Sequence, residues 1–151
     1  MQNVLEKTVK CYYNVSDKTY FACQLVEKLY KSGRKGFILT QNDAESALFD
    51  KKLWQFRKLS FIPHCRPEHP LAAEASFLVD NQIAFLPEET ESDFVIINLC
   101  ATVAPELLKY PVLVECVTED EHDRQQGRER IRFYKQNQRT VEHFDMKKAH
   151  P

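Results

Sequence analysis

Residues 8–40 read TVKCYYNVSDKTYFACQLVEKLYKSGRKGFILT. Thr8 to Val15 is rich in β-branched and aromatic residues and partly alternates, as a strand does. From Ser16 the period changes. Phe21, Leu25, Val26 and Leu29 share one helical face, and Gly33 follows as a stop signal, so a helix is expected to about Ser32. Lys35 to Thr40 is a short apolar run of the kind buried on both faces in a parallel sheet. Strand, helix and strand with short joins form the unit of an α/β layered fold.

The same alternation continues outward. Asn42 or Asp43 can cap a helix from Ala44 to about Phe56, with Ala47, Leu48 and Leu53 inward. Ser60 to His64 reads as a short or edge strand, and Pro63, Pro67 and Pro70 make the next stretch loop-like. Ser76 to Val79 and Gln82 to Leu86 read as short strands around Asp80-Asn81, and Glu88 to Asp93 as a surface loop. Phe94 to Leu99 is the strongest buried strand, and Glu106 to Tyr110 is too short for a helix of its own. Val112 to Val117 is a strand leading into a helix over 119–139, and Thr140 to Phe144 reads as a final edge strand. The expectation is a single-domain Rossmann-like α/β fold over residues 1–151. A mostly parallel central sheet is flanked by helices, and 1–7 and 146–151 fray.

The totals restrict the function classes. A chain of 151 residues can bury a stable core without staples. Its net charge of -1 gives no bulk attraction to nucleic acid or to a membrane surface. The five cysteines form no CxxC pair, most sit in apolar runs, and they read as reduced thiols of a cytoplasmic protein. The N-terminal ten residues have no apolar signal segment, and no run approaches the ~20 apolar residues that span a bilayer.

Local charge is more informative than the total. In RQQGRERIRFYKQNQR (124–139), Arg124, Arg128, Arg132, Lys135 and Arg139 recur three or four apart and make one ridge on a helix. Gly127, Ile131, Tyr134 and Gln138 make a stripe beside it that the helix would bury. Acidic residues crowd the start (Glu119, Asp120, Glu121, Asp123), which the helix dipole alone explains in part. Two readings stand together: a solvated cationic face, and a site where Arg holds an acidic tail whose apolar end enters a pocket lined by Val117 and Ile131. A second stretch, LWQFRKLSFIPH (53–64), carries Trp54, Phe56, Leu59, Phe61 and Ile62, and suits a core junction and an interface equally well.

The chemistry of a catalyst or cofactor site is missing. The three glycines, Gly33, Gly36 and Gly127, form neither GxGxxG nor GxxxxGK[ST]. The turns NVSDKT and TQND after the first two strands contain no glycine. A standard dinucleotide or P-loop site is therefore not expected. His64, Cys65 and His69 have metal-binding types but lack a fourth ligand at a stereotyped spacing. His122 and Asp123 near Glu119 sit on a charged helix start rather than in a cleft. No catalytic residue, cofactor or metal is assigned. The rival on this fold is a nucleotide-binding protein or an enzyme.

LWQFRKLSFIPH with its Pro-rich continuation, QIAFLPEE, DFVIINL and the helix containing RERIRFYK occur in an order and separation that resemble the chi subunit family of bacterial DNA polymerase III, over about residues 8–145. The resemblance implies a Rossmann-like fold that has lost nucleotide binding, and a non-catalytic accessory subunit of the clamp-loader assembly. It implies two partners: the psi subunit, and the acidic, Phe-ended C-terminal tail of single-stranded DNA-binding protein. The psi-facing aromatics correspond to Trp54 and Phe61. The tail-binding arginine corresponds to Arg128, with Arg124, Arg132, Val117 and Ile131 around it. Chi-like proteins carry Tyr where this chain has Ile131, and Lys at the positions of Arg124 and Arg132, so charge is kept and a hydroxyl is not. No direct nucleic-acid binding is expected, since net charge is near zero and no stacking platform is evident.

Overall fold

A computed structural model describes residues 7–56 and 62–148. β1 (Thr8–Val15), α1 (Lys18–Lys31), β2 (Gly36–Leu39) and α2 (Asp43–Gln55) follow in the expected alternation. Asp17, rather than Ser16, caps α1: its carboxylate accepts from the Tyr20 amide at 3.0 Å. The helix stops where Gly33 takes φ +78°, with its amide donating back to Tyr30 O and that of Arg34 to Leu29 O. Asn42 caps α2 by accepting from Glu45 N at 2.9 Å.

That cap sets the phase of α2, and the phase differs from expectation. Ser46, Phe49 and Leu53, three and four apart, face inward, whereas Ala47 and Leu48 are exposed. Ser46 is tolerated inside because its hydroxyl meets Thr40 Oγ1 at 2.5 Å and Asn81 Oδ1 at 3.3 Å.

The remaining strands are β3 (His64–Cys65), β4 (Phe77–Asp80), β5 (Val95–Asn98), β6 (Val112–Thr118) and β7 (Thr140–Asp145), with α3 (Glu121–Gln136) between the last two. They form one seven-stranded sheet in the order β3-β4-β2-β5-β6-β1-β7. Every pairing is parallel, so the expected mostly parallel sheet is wholly so. Of the stretch expected as a strand from Ser60, only His64 belongs to β3, and Ser60 and Phe61 lie outside the described residues. Gln82 to Leu86 is not a strand. Asp80 Oδ2 accepts from the Gln82 amide at 2.8 Å, bending the chain out of the sheet into a 3-10 turn over Ile83–Phe85. Glu106 to Lys109 falls in a 3-10 turn, Pro105–Lys109, which Tyr110 caps in extended conformation.

The sheet is covered on both faces, as a parallel sheet of apolar strands requires. One core cluster, including Val26, Ile38, Phe49, Leu53 and Ile97, packs under α1 and α2. The other, including Val9, Ile96, Leu107, Leu113 and Tyr134, packs under α3 and the turns between β4 and β6. The architecture is a Rossmann-like α/β layered fold. Met146, expected to fray, donates its amide to Tyr13 O at 2.9 Å. Among the described residues no helix is long and apolar enough to cross a membrane.

Candidate functional site

α3 begins at a hydrogen-bonded corner. Asp120 caps it by accepting from Asp123 N at 3.0 Å. The Asp123 carboxylate accepts from Thr118 N at 2.8 Å, Thr118 Oγ1 at 3.0 Å and Lys18 Nζ at 2.9 Å. Burial works against this charge, yet these donors hold the Asp123 pKa below the usual carboxylate range. Next, Gly127 lets α3 lie directly on β6: a Cβ there would meet Val117 Cγ2 at 2.8 Å.

One turn on, the helix buries a charge. Arg130 Nε donates to Glu115 Oε1 at 2.6 Å, and Tyr134 Oη and Asn98 Nδ2 donate to Glu115 Oε2 at 2.6 and 2.8 Å. Arg130 also donates to Ala101 O at 3.1 Å. Burial opposes the Arg130 charge, but the adjacent Glu115 carboxylate raises its pKa above the ordinary value. Burial, with Glu115 beside it, pushes the Tyr134 phenol far up.

The expected helix and its stripes are corrected at the C-terminal end. α3 ends at Gln136, and Gln138, with φ 59°, turns the chain out of the helix. Gln138 is exposed, and Arg130 joins Gly127 and Tyr134 in the buried stripe, with Ile131 half-buried. Arg139 leaves the ridge altogether. It is 5% exposed and donates to the carbonyls of Lys7, Thr8, Leu108 and Pro111. Phe133 is half-buried beside the Tyr134 ring, 6.2 Å between centroids.

The ridge that remains borders a cavity of about 790 Å³ between α3 and the β1–β7 edge of the sheet. Arg124, Arg128, Arg132 and Lys135 line its rim, and Val117, Gly127, Ile131 and Cys11 contribute its apolar surface. Tyr13 and His143 complete the sheet side, their rings edge to face at 6.4 Å. The structure therefore brings Arg124, Arg128, Arg132, Ile131 and Val117 around one space. Asn14 and His143 were not legible as its members. Asn14, at φ 60° where β1 breaks register with β6, accepts from Arg124 Nη2 at 3.0 Å and donates to Asp145 Oδ1 at 2.9 Å. Arg128 is exposed and makes only a loose ion pair with Glu121, at 3.7 Å. Arg132 meets both oxygens of Glu129 at 2.8 Å. An apolar base under a cationic rim can take an anion that carries an apolar end.

A second surface lies at the end of α2. Its sequence suited core and interface equally, and the structure divides it. Leu53 and Ile62 are buried, and Phe56 is half-buried with its ring 5.4 Å from that of Tyr20. Trp54 is 47% exposed, with one side of the indole against His64 at 4.2 Å. Phe61 lies outside the described residues. Tyr20, at 52% exposure, extends this aromatic surface onto α1.

The ends of β2 and β4, where this fold elsewhere holds nucleotides, are occupied by the protein's own side chains. Arg66 Nη2 donates to Asp80 and to Asp43, both at 2.7 Å, beside the Thr40–Ser46 pair. The ring nitrogens of His64 are directed at the carbonyls of Ile62 and Asp50, and His69 Nδ1 accepts from Leu71 N. Among the described residues no group of His, Cys, Asp and Glu is arranged to hold a metal.

Comparison with known proteins bears on most of the chain. The family model described as DNA polymerase III chi subunit, HolC, matches residues 6–142. The chain is 27% identical over 121 residues to the DNA polymerase III subunit chi of Pseudomonas aeruginosa, covering 80% of this chain and 81% of that one. It is 26% identical over 115 residues to the same subunit of Haemophilus influenzae, covering 74% and 75%. With a match of this extent laid over an all-parallel sheet and its cationic α3, the chain belongs to the DNA polymerase III chi subunit family.

Proposed function

We propose that this chain is a non-catalytic, cytoplasmic accessory subunit of the replicative polymerase, and that it joins two partners. The cavity beside α3 takes the acidic C-terminal tail of single-stranded DNA-binding protein. The Trp54 surface, with Phe61, docks the psi subunit of the clamp loader. The polymerase assembly is thereby held near coated template.

The observation that carries the first half is the pairing of an apolar base, Val117 and Ile131, with a rim of Arg124, Arg128 and Arg132. A terminal carboxylate is gripped by guanidinium while the last side chain leaves water beside Ile131. Ile131 supplies apolar surface and no hydroxyl, so the polar contacts come from the rim. Family membership supports the second half, together with the exposure of Trp54.

Titration of a tail peptide against the wild-type and Arg128→Ala proteins tests the reading. Loss of Arg128 weakens binding by about 1.5–3 kcal/mol, the range for hydrogen bonds to charged groups, and added salt weakens the wild type. Equal affinities would overturn the role of Arg128. Folded Trp54→Ala and Phe61→Ala proteins that still co-purify with psi would overturn the second surface.

A further inference from the structure

The four cations on the cavity rim are not equally available to a ligand. Arg124 is engaged with Asn14 Oδ1 at 3.0 Å. Arg128 has Glu121 no nearer than 3.7 Å. Arg132 is held by Glu129, with Nη1 2.8 Å from each carboxylate oxygen. Lys135 lines the same cavity and has no ion pair among the described residues.

We propose that Lys135 is a ligand-binding residue of this cavity, and that Glu129 tunes its affinity by occupying Arg132. An acidic peptide is then gripped between Arg128 and Lys135. Arg132 is recruited only when its pair with Glu129 opens. This rests on the reading that the cavity takes an acidic, apolar-ended peptide.

The spacing suits such a ligand. Arg128 and Lys135 are two helical turns apart, roughly 10 Å along the axis. On an extended peptide the terminal carboxylate and an acidic residue three positions before the end are separated by about the same distance. Ile131 lies between the two cations, three residues after Arg128 and four before Lys135, so an apolar side chain seated on it leaves carboxylates free to reach both.

The charges at the two ends of α3 favour the Lys135 side. At the N-terminal end Asp120 and Glu121, four and three residues before Arg124, repel an acidic chain, whereas Glu119 is paired with Lys147 Nζ at 2.6 Å. The C-terminal end exposes partial negative charge on its last carbonyls, but Lys135, within the last turn, sets a full positive charge against it. Glu129 is the one carboxylate that stands between Arg128 and Lys135 along the helix. It repels the ligand and neutralises Arg132 at once.

The test uses a fluorescent synthetic peptide of spaced aspartates ending in phenylalanine with a free carboxylate. Its anisotropy is followed against the wild type, Arg128→Ala, Lys135→Ala, Lys135→Arg, Arg132→Ala and Glu129→Gln, at low salt. All these positions are exposed on α3, and melting curves establish that each variant is folded. Lys135→Ala weakens binding about tenfold and Lys135→Arg restores most of it. Arg132→Ala costs about twofold, and Glu129→Gln tightens binding about two- to fivefold. In the Glu129→Gln background, Arg132→Ala costs more than it does alone. If Lys135→Ala binds as the wild type does, or Glu129→Gln leaves affinity unchanged, this inference fails while the site, still lost in Arg128→Ala, stands. If the wild type does not bind the peptide, both fail.

Discussion

Arg130 and Glu115 form an ion pair from which water is excluded: Nε and Oε1 are 2.6 Å apart, and the two side chains are 3% and 0% exposed. Tyr134 and Asn98 fill the second carboxylate oxygen, so both oxygens of the anion are hydrogen-bonded. This network fixes α3 on β6 and thereby fixes the wall of the cavity.

Breaking the network from the cationic side leaves a buried carboxylate without a counter-charge. Arg130→Met should therefore cost about 3–5 kcal/mol in denaturant unfolding. Tyr134→Phe removes one hydrogen bond to the same anion and should cost about 1.5–3 kcal/mol. If Arg130→Met loses less than about 1 kcal/mol, Glu115 is reached by water and the account of a sealed pair is wrong.

Gly127→Ala sets two effects against each other. Alanine improves helix propensity by about 1 kcal/mol. Its Cβ, however, would stand 2.8 Å from Val117 Cγ2 and 3.2 Å from Cγ1, on a β-branched side chain with little room to rotate. Overpacking of this kind costs about 1–3 kcal/mol, so a net destabilisation is expected. Val117→Ala in the same protein should recover much of it. A more stable Gly127→Ala protein would show that α3 can lift from β6 at no cost.

The thiols give an alkaline prediction. Burial pushes Cys11 and Cys100 up to about 11, and Cys23 and Cys116 up to about 12, from an ordinary value of 9.0. These groups favour the fold while they are neutral. Their contribution is fully present below pH 9 and is lost as pH rises from there through 11 and 12. Denaturant midpoints should fall across that window. At neutral pH, iodoacetamide should label native protein far more slowly than protein in urea, with half-buried Cys100 leading. Labelling of Cys23 or Cys116 at the unfolded rate would contradict their burial.

Asp123 gives the acid counterpart, with opposite sign. Its folded pKa lies below the ordinary 3.8, so its contribution is present above that value. It is lost as pH falls through 3.8 and then through the folded value. Asp123→Asn should cost about 1–3 kcal/mol at neutral pH, since hydrogen bonds to a charged acceptor are lost. It should also flatten the acid limb of the stability curve. An acid limb identical to that of the wild type would remove Asp123 from the cause of acid unfolding.

The strands were legible because a parallel sheet covered on both faces demands apolar runs, and GFIL, VIIN and VLVECV are such runs. The phase of α2 was not legible, because a serine faces inward and a leucine faces out. Only the Asn42 cap and the Thr40–Ser46 pair decide that. In α3, equal spacing made Arg124, Arg128 and Arg132 neighbours on paper and in space, and put Ile131 beside them. Spacing also promised Arg139, which the left-handed backbone of Gln138 diverts into the protein. Glu115 within VLVECV did carry a signal, since a charge inside a buried run needs a partner, but nothing local points to Arg130. Asn14 contacts Arg124 across 110 residues of chain, a relation no periodicity can contain.

The place of β1 in the sheet has a consequence for the order of events during synthesis. β1 is the first described strand to leave the ribosome, and its neighbours, β6 and β7, are the last. Until residues 112–118 have emerged, β1 has no described strand to pair with, and β2, β4 and β5 can already form a sheet without it. Closure then depends on the most distant contacts in the sequence, the slow kind. The cavity has β1 and α3 for walls, so a nascent or truncated chain has no such cavity to offer. The docking surface comes into being only as the sheet closes.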